Sequence, residues 1–182
     1  MAANGSRANR SDFAPTLWTV RHPKSGIGPP SRLLANVEQR WFVGAHANVG
    51  GGYQNDLLNQ APLRWLMQKA ELHGLSFRSE VILDGDALKA PIIDSYHSFG
   101  EGLYAKVFPA LYRPIGPEPD VRDNGTHTNV NETIDVSVFQ RWRADPSYRP
   151  RNLVDWAQRS KVDPAQLQTS VRADDPRVSV PE

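Results

Sequence analysis

The run Trp41 to Tyr53, WFVGAHANVGGGY, constrains the fold more than any other part of this sequence. Trp41, Phe42 and Val43 form an unbroken apolar stretch ending at Gly44, the pattern of a short strand buried on both faces. His46 follows at once. Gly50, Gly51 and Gly52 then permit backbone angles closed to other residues, so the chain can turn sharply beside a cleft. Beyond the glycines a helix is predicted, with Asn59 as its cap and Pro62 in its first turn. Leu63, Leu66, Met67 and Ala70 supply an i, i+3, i+4, i+7 stripe, and Gly74 is the stop. Strand, glycine loop and helix in that order place the chain in the α/β class.

The sequence has 182 residues, 39% of them apolar, enough for one core or a large part of a bigger domain. Lys and Arg number 21 against 20 Asp and Glu, a net charge of +1 with the two signs interspersed, so no field favours nucleic acid or an anionic surface. With no cysteine, disulfides, thiolate metal sites and a cysteine nucleophile are excluded. No signal-peptide core and no membrane-length apolar run is present, so the expectation is a soluble, cytoplasmic chain.

Residues 1–12 read as a flexible N-terminus. Phe13 to Val20 offers a β-favouring run, and His22 to Ser31 is a Pro- and Gly-rich loop. Val81 to Leu83 reads as a brief strand, while Ile92 to Tyr112 gives no regular pattern. A strand at Thr133 to Val138, a short helix near Val136 to Arg143 and a turn at Asn152 to Arg159 follow. Residues 158–182 form a polar tail whose last dozen carry too little apolar content to order themselves and are expected to be mobile.

A histidine just past a buried strand and just before flexible glycines can meet substrate while its backbone is held by the sheet, as a general base requires. The competing reading is a core or loop histidine bonded to backbone. Gly50 to Gly52 could cradle a phosphate, but the sequence lacks the P-loop lysine and the GxGxxG spacing. The nearest approach to a G-x-S-x-G elbow is Tyr96-His97-Ser98-Phe99-Gly100, where Tyr96 fills the first glycine position, so Ser98 reads as a loop serine. His22, His46, His73, His97 and His127 are scattered without metal-ligand spacing. His73 falls near a predicted helix end, where an imidazolium suits the dipole. Trp41, Phe42 and Trp65 read as core, or as the lining of an acyl pocket.

WFVGAHANVGGGY followed by LLNQAPLRWLMQKAELHGL resembles the domain of unknown function 2235, an α/β-hydrolase group that includes Tle1-like phospholipase effectors of the type VI secretion system. The resemblance extends to Arg10, Phe13 to Trp18 and Gln39 upstream, and downstream to Ile93 to Tyr96, Arg113 to Ile115, Ser137 to Arg141 and Tyr148 to Pro150. It implies that residues 13–157 are the C-terminal part of an α/β-hydrolase-like fold with an incomplete sheet. It further implies that His46 is the base of a Ser, Asp, His triad acting on phospholipid or another acyl ester, with Asn48, Gly50, Gly51, Gly52 and Tyr53 forming the substrate loop. Asn48 stands where the family commonly has aspartate. No cofactor or metal is implied.

The elbow and the triad acid of that family lie upstream of the matching region, and residues 1–40 contain neither. The sequence therefore predicts a truncated or split hydrolase that is inactive alone, because triad members act as a unit. The alternative is a non-enzymatic module that pairs with a nucleophile-bearing chain or with a secretion-apparatus protein. A small hydrolase using Ser98 is the third reading.

Overall fold

The computed structural model describes residues 2–3, 17–22, 34, 37–93, 113–116, 118–120 and 125–181. Ser98 and the other residues of 94–112 lie outside these, as do 13–16 and 23–33. The fold is mixed α/β. Strand β1 (Ala2–Ala3), β2 (Thr19–His22) and β3 (Gln39–Val43) are followed by helices α1 (His46–Gly50) and α2 (Gln60–Glu71). A 3₁₀ turn at Gly85–Lys89 precedes β4 (Glu118–Asp120), β5 (Gly125–Asn129) and β6 (Glu132–Ile134). Helices α3 (Val136–Ala144) and α4 (Arg151–Ser160), a 3₁₀ turn at Pro164–Gln166 and β7 (Val171–Arg172) complete the order.

Two small sheets result. One has the order β1-β3-β6-β7, with β3 parallel to both β1 and β6 and β7 antiparallel to β6. The other has the order β2-β5-β4, antiparallel throughout. Gln39 joins them: its amide accepts from the Trp18 N–H at 2.7 Å and donates to the carbonyls of Trp18 at 2.9 Å and Val130 at 2.8 Å.

Strand β3 is buried along its whole length: Trp41 to Val43 as their apolar run predicts, and Gln39 and Arg40 beyond that run. Trp41 and Val43 enter the main core with Ile134, Phe139, Leu153 and Trp156. Phe42 meets Trp65 of α2 with ring centroids 5.7 Å apart, and the Arg40 guanidinium carbon lies 5.3 Å from the Trp65 ring centroid. The indole of Trp41 donates to buried Glu132 at 2.5 Å, and the same carboxylate accepts from Gly116 N–H at 3.0 Å and Asn129 Nδ2 at 2.8 Å. Charge-assisted bonds of this kind offset the cost of burying the carboxylate.

Several local expectations are corrected. The helix predicted after the glycines forms, but it turns Pro62 and Trp65 inward and leaves Leu63 and Leu66 exposed, because Arg40 and Phe42 capture the Trp65 side. Asn59 precedes it without a side-chain cap bond. Val81 to Leu83 is not a strand, and Ile82 stands 84% exposed with no sheet edge to receive it. Near residue 134 the strand ends early, since the Asp135 carboxylate takes the Ser137 N–H at 3.0 Å and starts α3 at Val136. The turn at Asn152 to Arg159 is part of a full helix, α4.

The closing segment, expected to be mobile, is packed. Val171 pairs with Ile134, and Val171 and Ala173 are buried. The Pro181 carbonyl accepts from Arg40 Nη2 at 2.6 Å. Backbone pairing to β6 and a buried guanidinium supply the ordering that its own composition does not.

Candidate active site

The carboxyl end of β3 leads into the site through two residues. Gly44 sits at φ +127°, an angle that an L side chain rarely adopts, and a Cβ there would lie 2.7 Å from Asn48 Cβ. Ala45 is fully buried and extended. His46 is then the first residue of α1 and is exposed. The histidine thus opens a single helical turn, where the sequence had indicated a loop.

Asn48 explains the turn. Its Oδ1 accepts the Ala45 N–H at 3.0 Å, closing the start of α1, while its Nδ2 donates to Asp56 Oδ2 at 2.8 Å. Asp56 Oδ1 in turn accepts the Leu58 N–H at 2.9 Å. Asn48 is wholly buried, so its amide braces the His46 segment from beneath and has no surface to offer a substrate.

The glycines end the turn. Gly51 takes the left-handed angle φ +76° at the helix end, and the Gly52 N–H donates to the Ala47 carbonyl at 2.8 Å. Gly50, Gly51 and Gly52 are exposed beside His46, and Tyr53 is half-buried. His46 and the glycine segment are therefore brought together on one surface, carried by a buried strand and locked by an Asn48 and Asp56 bridge. Sequence reasoning missed Asp56: nothing in its local pattern connects it to Asn48, and the link appears only once the chain has turned.

Two cavities flank this unit. One of about 310 Å³ is lined by Gln54, Asn55, Asp56 and Leu57 with Lys89 and Ala90 opposite. The other, of about 210 Å³, lies between β3, α2 and α3 and is walled by Phe42, Val43, Leu57 and Leu58, without His46. Phe42 and Val43 thus serve both the core and a cavity wall. Among the described residues no group of His and carboxylates is arranged to hold a metal ion, and no helix is long and apolar enough to cross a membrane.

No curated protein and no solved structure matches the chain. Residues 7–69, which contain β3, His46, the glycines and most of α2, match the family model of the type VI secretion system phospholipase effector Tle1-like catalytic domain, so the segment that presents His46 is Tle1-like.

Proposed function

We propose that this chain supplies the histidine of a Ser, Asp, His triad for carboxylic ester hydrolysis within an α/β-hydrolase-like arrangement, with a phospholipid or other acyl ester as substrate. The observation that carries the reading is the position of His46. It stands exposed just past the carboxyl end of a buried strand that is parallel to both its neighbours, where open α/β sheets gather their ligands. There it would take the proton of an attacking serine and return it to the leaving alcohol. The match of residues 7–69 to a phospholipase catalytic domain supports the same role.

The sequence contains no G-x-S-x-G elbow, so the nucleophile is proposed to come from a separate hydrolase segment, with delivery by type VI secretion. Alone, the chain is expected to hydrolyse p-nitrophenyl acyl esters no faster than buffer. Robust turnover that disappears in His46→Ala would overturn that part of the proposal.

A second reading, a docking subunit without catalysis of its own, is favoured by one observation. Leu63, Leu66, Leu72, Leu75 and Ile82 are exposed on and after α2, with Leu72 at 78%. Exposed apolar side chains gathered along one helix and its exit would suit contact with another protein. Size-exclusion chromatography with light scattering separates the readings: a strictly monomeric chain that binds no hydrolase segment removes the docking role.

A further inference from the structure

Between α2 and the 3₁₀ turn at Gly85–Lys89 the chain runs irregular and open to water: His73 to Glu80 are exposed throughout, and Val81 is half-buried. It is pegged at both ends, by the Leu75 N–H on the Ala70 carbonyl at 3.1 Å and by the Asp84 N–H on Gln60 Oε1 at 2.8 Å. From Ser76 to Leu83 no backbone N–H or carbonyl is bonded among the described residues. Unpaired backbone that also exposes Leu75, Phe77, Ile82 and Leu83 is a template for strand pairing.

The stretch Leu75-Ser76-Phe77-Arg78-Ser79-Glu80-Val81-Ile82-Leu83 is complementary to itself. Laid antiparallel on a second copy about Ser79, Leu75 opposes Leu83, Phe77 opposes Val81 and Arg78 opposes Glu80. Opposed residues share a face, so the odd-numbered positions form an apolar face broken only by Ser79, and the even-numbered ones carry two ion pairs. A slip of two residues sets Arg78 against Arg78 or Glu80 against Glu80, and a slip of one sets Phe77 or Val81 against a charge. Neither Arg78 nor Glu80 makes an ion pair within the chain among the described residues. The charges are free to select this one register.

We infer that Leu75 to Leu83 pairs with the same segment of a second copy as an antiparallel ribbon, straightening the bend at Arg78 and Ser79. Leu83 already walls the apolar cavity between α2 and α3, so the ribbon is held to the body of the protein there, a support that a free two-stranded ribbon lacks. The docking reading sets a hydrolase segment on the neighbouring leucines. Here the occupant is the chain itself, and neither His46 nor a hydrolase segment takes part.

The test uses the full chain alone. Sedimentation over a concentration series reaching about 0.5 mM should show a monomer–dimer equilibrium. Arg78→Glu and Glu80→Arg should each weaken it about tenfold to a hundredfold, because two attractive cross-strand pairs become repulsive. An equimolar mixture of these two variants should restore the dimer, since every opposed pair then has unlike charges. The chain has no cysteine, so Ser79→Cys places a single thiol on the two-fold axis with Cα atoms about 4.5–5.5 Å apart, and mild oxidation should join the copies. Ser76→Cys, roughly 20 Å from its counterpart in that register, should stay unjoined. A chain monomeric throughout the series would overturn the pairing while leaving the binding of a hydrolase segment untouched. Single variants that dimerise like the wild type, a mixture no more dimeric than its components, or equal cross-linking of the two cysteine variants would each overturn it as well.

Discussion

Asn48→Asp is nearly isosteric, yet it should damage this chain. Asn48 Nδ2 donates to Asp56 Oδ2 at 2.8 Å in a position where Asn48 is wholly buried. The substitution removes a hydrogen bond to a charged group, worth about 1.5–3 kcal/mol, and sets two carboxylates against each other. At an effective dielectric of about 20, like charges that close would repel by roughly 6 kcal/mol. Retaining a proton on one of them is cheaper: near pH 7 it costs about 4 kcal/mol, at 1.36 kcal/mol for each unit above the ordinary carboxylate value. The loss at about pH 7 is therefore capped near 4 kcal/mol, a large part of the roughly 5–15 kcal/mol that stabilises a domain.

The sign follows from linkage. The shared proton is bound more tightly in the folded variant than in the unfolded one, so folding is favoured below the ordinary carboxylate range and the deficit grows as pH rises. Urea unfolding followed by tryptophan fluorescence should show a clear loss in midpoint at about pH 7 and a much smaller one at about pH 4.5. Adding Asp56→Asn should restore most of the loss, since one donor and one acceptor then face each other again. Wild-type stability for the single variant near neutrality, or a double variant no better than the single, would refute the reasoning.

Gly44→Ala should cost about 2–4 kcal/mol and displace His46, because it meets both a left-handed angle and the 2.7 Å approach of Asn48; a lowered urea midpoint checks it. Trp41→Phe keeps the ring in the core but removes the indole donor to buried Glu132, so a loss of about 1–3 kcal/mol is expected by the same assay. Asp145 titrates below the ordinary carboxylate range, chiefly through the bond from the Ser147 hydroxyl, with Arg141 assisting against partial burial. Its contribution to stability is therefore present above that range and lost as pH falls through its folded value. Ser147→Ala should move the Asp145 carboxyl upward in an NMR titration.

What the residues disclosed in advance was local. Trp41 to Val43 could be read as a buried strand because an unbroken apolar run needs burial on both faces, and a short helix near Val136 to Arg143 could be read, although its first residues also read as part of the preceding strand. The inward face of α2 could not. Its best apolar stripe, Leu63, Leu66, Met67 and Ala70, lost to Trp65, and the deciding partners, Arg40 and Phe42, sit on a separate strand. Order in the final segment was equally hidden, since it comes from pairing with β6 and from Arg40 reaching the Pro181 carbonyl. At the candidate site, His46 and the glycines were legible from type and spacing. The bridge through Asn48 and Asp56 was not, because a long-range hydrogen bond leaves no periodicity.

The central claim is that Gln39 to Tyr53 presents His46 as a catalytic base. Transplanting these residues in place of the corresponding histidine segment of a complete Tle1-like phospholipase tests it most directly, with fatty acid release from phospholipid vesicles as the readout. The account predicts that the chimera hydrolyses phospholipid and that replacing its transplanted histidine, His46→Ala, abolishes turnover while the fold is kept. A folded chimera that is inactive with His46 in place, or one whose activity survives His46→Ala, would contradict it.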